Sequence, residues 1–232
     1  MKILALKLIL LLPFASISQL YSAPDEYVKL TGKVTVTKES DMWIKASVPF
    51  GINIHPKAQS YSRSKPTKIG DVINLEYLDN VKVKIFLCFS NEYKKRALRS
   101  SSINDIEFYQ YYSAEVDYLT VKIDRNTKNA HFLLPAVLAE RDGFYKGGYV
   151  KLVGYAVEIS QNGVPFEITI TDSIFFESNA RKITDPIILG KFKAQAMEKS
   201  EKHKGFLLPA HLINQSYLDP TVVVKRKGGT EY

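Results

Sequence analysis

The stretch Val81-Lys82-Val83-Lys84-Ile85-Phe86-Leu87-Cys88-Phe89 decides the fold class. Its odd-numbered residues are apolar throughout, the period-two pattern of a strand with one buried face. The even-numbered residues change from Lys82 and Lys84 to Phe86 and Cys88, so the second half is expected to be covered on both faces. An amphipathic helix would space its apolar residues by three and four, and this run does not.

The same alternation recurs on both sides of this stretch. Val28, Leu30, Val34 and Val36 alternate with Lys29, Lys33, Thr35 and Thr37; Met42, Ile44, Ala46, Val48 and Phe50 follow, with Trp43 and Lys45 on the opposite face. That phase leaves Trp43 either under the C-terminal segment or in solvent. The region from Gly51 to Gly70 reads as a long surface loop, and Asp79-Asn80 reads as a turn pair after the short run Ile73, Leu75, Tyr77. A second long loop is expected from Asn91 to Asp105. Beyond it Tyr112, Ala114, Val116 and Tyr118 share one phase while Leu119, Val121 and Ile123 share the other, which predicts a β-bulge near Tyr118. Residues 124–128 supply a turn, His131 to Leu134 a strand, and Pro135 opens a short helix through Arg141. Tyr149 to Ser160 and the alternating Phe166, Ile168, Ile170, Ile174 and Phe176 flank Asn162-Gly163, a dipeptide suited to a type I′ hairpin turn.

These runs predict about seven strands without a βαβ rhythm. The expected fold is all-β, an antiparallel immunoglobulin-like β-sandwich over residues 19–180, with a barrel as the rival closure. A C-terminal helical or extended appendage, residues 181–232, is expected to stand apart from it. Within that appendage Leu189, Phe192 and Ala196 have helical spacing, and residues from Lys225 onward are expected to fray. Phe206-Leu207-Leu208-Pro209-Ala210 echoes Phe132-Leu133-Leu134-Pro135-Ala136, an echo that fits a shared strand-to-helix corner, or chance, better than an internal duplication.

The first residues combine Lys2 and Lys7 with an apolar run, Leu8 to Phe14, and then small residues at Ser16 and Ser18. That pattern predicts a secretory signal peptide over residues 1–18. The apolar run is well short of the ~20 residues a membrane-spanning helix requires, so no span is expected in the mature chain. No cysteine follows the run to take a lipid, and the Gly and Glu of a type IV pilin leader are missing. A secreted or periplasmic product is expected, in reach of the cell surface.

Composition narrows the chemistry further. The chain has a formal net charge of +8, but its lysines are mostly single and scattered along strands, as on solvated faces. For an exported protein such charge suits envelope proteins or anionic polysaccharide rather than nucleic acid. The single cysteine, Cys88, can form no internal disulfide and reads as a buried, inert thiol. His55, His131, His203 and His211 are not at ligand spacing, so no metal and no cofactor is implied. There is no nucleophile elbow, phosphate loop or zinc-protease helix, and Glu115 and Asp117, two apart on a strand, share its solvent face. No catalytic residue is therefore assigned. Tyr109, Tyr111 and Tyr112, beside basic loops, are the candidate interaction surface for a protein or a sugar.

Trp43-Ile44-Lys45-Ala46-Ser47-Val48-Pro49-Phe50, Val81 to Phe89, Tyr111-Tyr112-Ser113-Ala114-Glu115-Val116 and Phe132-Leu133-Leu134-Pro135 together resemble exported immunoglobulin-like proteins associated with bacterial type IV pilus assembly genes. The resemblance covers about residues 27–176 and rests on packing patterns. It implies a non-enzymatic envelope or surface protein that supports pili or adhesion through protein contacts, with a carbohydrate-binding module using the surface tyrosines as the alternative.

Overall fold

The computed structural model describes residues 27–98, 104–124, 126–146, 148–168, 173–176 and 182–225. The expected leader, residues 1–18, lies outside them. In chain order the strands are β1 (Val28–Leu30), β2 (Thr35–Lys38), β3 (Ile44–Ile52), β4 (Tyr77–Ser90), β5 (Tyr109–Lys122), β6 (Lys128–Leu134), β7 (Tyr145–Lys146), β8 (Tyr149–Val150), β9 (Leu152–Gln161), β10 (Val164–Pro165), β11 (Ser173–Phe175), β12 (Leu208–Pro209) and β13 (Val222–Val224). The α-helices are α1 (Ala58–Arg63), α2 (Glu92–Leu98), α3 (Ala136–Asp142) and α4 (Pro186–Ser200).

The chain is mostly β, with two main antiparallel sheets. One runs β1-β3-β6-β12, with β2 also on β3; the other runs β10-β9-β4-β5-β13, with β11 also on β9. Their alternating apolar residues meet in one core. Ile44, Ala46, Val48 and Phe50 of β3 join Val83, Ile85, Leu87 and Phe89 of β4 in it, all buried. The Phe50 and Tyr118 rings, 5.8 Å apart, link the two sheets directly. At one end Phe89 stacks on Phe144 at 4.8 Å, and Tyr112 meets Phe144 edge-on at 5.9 Å.

β4 is covered on both faces in its second half, as its sequence predicts. Phe86 and Cys88 point away from the shared core and pack, with Tyr111, Val153 and Ala156, against Phe192 and Ala196 of α4. Helix α4 begins where Asp185 accepts hydrogen bonds from the Ile187 and Ile188 amides and Pro186 occupies the first turn. Phe192 also stacks on Phe175 at 4.8 Å. The helix comes this close because residue 154 is glycine.

Asp79-Asn80 is not a turn between strands but part of β4, which pairs with β5 from Tyr77↔Lys122 to Ser90↔Tyr109 in one unbroken register. The phase change expected near Tyr118 occurs in both strands at once. Leu78 and Val81 are buried on β4, opposite the buried Val121 and Tyr118 of β5, with Asn80 at φ 56° between them. Two matched irregularities cancel, so the β4–β5 ladder keeps step; the register slips instead between β5 and β13, at Val223/Val224. The Asn162-Gly163 turn forms as expected, with φ 50° and 82°. Gly51 to Gly70 contains the end of β3, helix α1 and a 3-10 turn at Ile69–Asp71, and the second loop opens with α2, so neither is structureless.

The C-terminal segment is not an appendage. β12 pairs with β6 and β13 with β5, so one run of chain supplies an edge strand to each sheet on the same side. Between them Tyr217 lies over the outer face of β3 and β6, its ring 5.4 Å from His131 and 5.8 Å from the Lys45 ammonium. The Phe-Leu-Leu-Pro-Ala echo is two copies of one corner. Pro135 and Pro209 cap the following turns with φ −57° in each case, and the two segments pair with each other, Leu208↔Leu133. Trp43 is half-buried.

Two outcomes are expected. A Cβ on Gly154 would sit 2.4 Å from the Ile174 carbonyl oxygen and 2.8 Å from Phe192, and both obstacles are held by packing. Gly154→Ala is therefore expected to cost about 1–3 kcal/mol in urea denaturation. The second concerns pH. Burial, then the Lys45 ammonium, hold the His131 imidazole below the ordinary 6.5, with Glu39 opposing; burial lowers His55 and His211 as well. The unfolded chain then binds more protons than the folded one, so stability is lost as pH falls below 6.5. Urea midpoints measured on either side of that pH are expected to show this, and His131→Gln to reduce the slope.

Candidate functional site

The three tyrosines singled out in the sequence start β5, but they do not form one platform. Tyr112 is fully buried, pointing into the shared core, where its hydroxyl donates to the Gln110 side-chain oxygen at 3.1 Å. Tyr111, on the other face, is 2 % exposed, beneath α4. Only Tyr109 is half-buried. Adjacent residues on a strand point to opposite faces, and here both faces are covered, so strand packing claims Tyr111 and Tyr112. As freely exposed stacking residues those two are corrected.

What remains is a cleft of 390 Å³ between the start of β5 and the last turn of α4. Tyr109, Gln110 and the edge of Tyr111 form its floor; Lys199, Lys202 and Glu198 come from the helix end and the turn after it; Lys94 of α2 and Glu107 complete the rim. Three lysines thus face two glutamates. The Lys199 ammonium lies 5.7 Å from the Tyr111 ring, within cation–π range. Lys95, next on α2, is spent on Asp105 at 2.8 Å.

His203 ties the cleft together. Its Nδ1–H donates to the Tyr111 carbonyl at 2.9 Å, which leaves Nε2 as the ring's remaining polar atom. The ring also packs 5.0 Å from that of Tyr112. Sequence spacing alone did not mark His203, because its partner is a backbone carbonyl on a strand 92 residues away.

Beneath the floor, Cys88 sits directly opposite Tyr111 in the β4–β5 ladder and hydrogen-bonds to it. Burial pushes the Cys88 thiol well above its ordinary range, as an inert thiol requires. Burial, with Cys88 and Asp105 nearby, also raises the Tyr109 phenol to about 12, so it stays a neutral donor. The cleft can therefore offer cations, a phenol and an amide to a ligand. Among the described residues no group of three or more His, Cys, Asp or Glu could hold a metal ion. No described helix is long and apolar enough to cross a membrane.

No protein-family model and no curated protein matches this sequence. Two solved chains match it in fold. One, a crystal structure from Akkermansia muciniphila, is 14 % identical with a TM-score of 0.53, over 87 % of this chain and 95 % of its own. At that identity the likeness is one of fold alone.

Proposed function

We propose that this chain is an exported, non-enzymatic interaction protein of the bacterial envelope or surface, an immunoglobulin-like β-sandwich that supports type IV pili or adhesion through protein contacts. The observation that carries the reading is the lysine-rimmed cleft at Tyr109. A half-exposed aromatic flanked by cations on two rigid elements suits an acidic segment of a partner protein. The leader-like pattern of residues 1–18 and the resemblance of residues 27–176 support the cellular setting.

A second reading, polysaccharide binding, draws on the same cleft, because Tyr109 and part of Tyr111 line it. Tyr112 has no part in that reading.

The experiment is capture from a bacterial envelope extract by the immobilised full chain and by its Lys199→Glu, Lys202→Glu variant. Both lysines are exposed, so the variant is expected to fold normally. The protein-contact reading expects a pilus or outer-membrane protein to be retained by the parent, released by salt and lost with the variant. Retention of polysaccharide instead, lost in Tyr109→Ala, would favour the second reading. Equal capture by parent and variant would overturn the role of the cleft.

A further inference from the structure

A second cleft lies at the other end of β4, roughly 30 Å along the strand from the Tyr109 cleft. It encloses 280 Å³ and is built from the β4 and β9 strand ends with the segment after β3. Its strand side carries Asp79, Asn80, Gln161 and Asn162. Hydrogen bonds hold that side together: the Asn162 amide donates to the Asn80 carbonyl at 3.1 Å, and Gln161 Nε2 to the Asp79 carbonyl at 3.2 Å.

Asn80 and Asn162 both have left-handed backbones, φ 56° and 50°. Glycine adopts that conformation without cost, whereas a side chain there is strained, least so for asparagine. Asn80 stands within a 14-residue central strand, not at a hairpin tip. Both side chains are exposed, and among the described residues neither amide is engaged by a protein group. The chain thus places two unengaged amides at adjacent left-handed positions; Asn162 also suits its Asn-Gly turn, whereas Asn80 lies within a strand and serves no hairpin turn.

Across the cleft His55 Nδ1 accepts from the Lys57 backbone amide at 3.0 Å, so Nε2 carries the ring proton and is a donor. Burial and the nearby Lys57 hold this imidazole below its ordinary value, keeping it neutral. Lys57 and Asp79 contribute one charge of each sign, so the lining is balanced. Pro56 and Ile73 add apolar surface.

We infer that this cleft binds a neutral, hydroxyl-rich ligand, a saccharide. Amides can donate to and accept from sugar hydroxyls, the Asp79 carboxylate accepts from them and the His55 Nε2–H donates to them, and an apolar patch suits the C–H face of a pyranose ring. The balanced charge gives no preference for an anion, and Lys57 disfavours a metal ion. This site is additional to the Tyr109 cleft and does not rest on the reading given to it.

The test is NMR titration of the isotope-labelled full chain with glucose, galactose, mannose and N-acetylglucosamine, with glucuronic acid and glucosamine as charged counterparts. At least one neutral sugar is expected to produce saturable shifts at the Asn80, Gln161 and Asn162 side-chain amides, and to bind more tightly than the charged sugars. Asn80→Gly and Asn162→Gly remove an amide while keeping a permitted backbone. Each is expected to weaken binding about three- to tenfold, the worth of one hydrogen bond, with the melting temperature unchanged or raised. No saturable shift at these amides with any neutral sugar, tighter binding of a charged sugar, or full affinity in both glycine variants would overturn the inference. The Lys199→Glu, Lys202→Glu variant is expected to bind sugar here as the parent does, which separates this site from the protein-contact reading.

Discussion

Coverage of β4 on both faces is the constraint on which the rest of the structure depends. Its inner residues face the other sheet and its outer residues face α4, so its second half has no solvated face. Burying a large apolar side chain stabilises by about 1.5–3 kcal/mol, and Phe86, Phe89, Leu87 and Phe192 all do so within a few residues of Gly154. α4 presents few apolar residues to the sheet, chiefly Phe192 and Ala196, and its exposed remainder mixes Ile187, Ile188 and Met197 with Lys191 and Lys199. Its docking is thus concentrated on one aromatic ring seated over a glycine, and the Tyr109 cleft exists because that seat sets where the helix ends.

The two clefts mark the two ends of β4 and draw on different physics. At the Tyr109 end, helix and strand converge and side chains come from elements far apart in sequence. At the Asn80 end, the backbone itself is irregular: β4 and β5 change phase together, and the hairpin after β9 bonds into the same irregularity. Matching the two phase changes lets Leu78 and Val121 return to the core without a break in pairing.

Period-two alternation made the long strands legible, including the double coverage of β4 and the phase change at Tyr118, while the Asn-Gly dipeptide marked its hairpin and helical spacing marked the face of α4. It failed where burial depends on a partner distant in sequence. Tyr111 and Tyr112 looked like a surface because basic residues surround them; nothing local shows that α4 and Phe144 cover them. Asp79-Asn80 looked like a turn because asparagine tolerates a left-handed backbone, which a strand irregularity also exploits. β12 and β13 are two and three residues long, too short for any periodicity, so the C-terminal segment looked detachable. Of the Tyr109 cleft, the sequence showed the tyrosine and a basic neighbourhood, but not His203, whose role rests on a backbone carbonyl.

The lacing of both sheets by the C-terminal segment also sets a timetable. Chains emerge from the ribosome at about 5–20 residues per second, and β13 is made about a hundred residues after the strand it completes. For several seconds β5 and β6 therefore present unpaired backbone along neighbouring edges, the state in which strands recruit one another between molecules. Until the last strand is made, that recruitment competes with the chain's own closure.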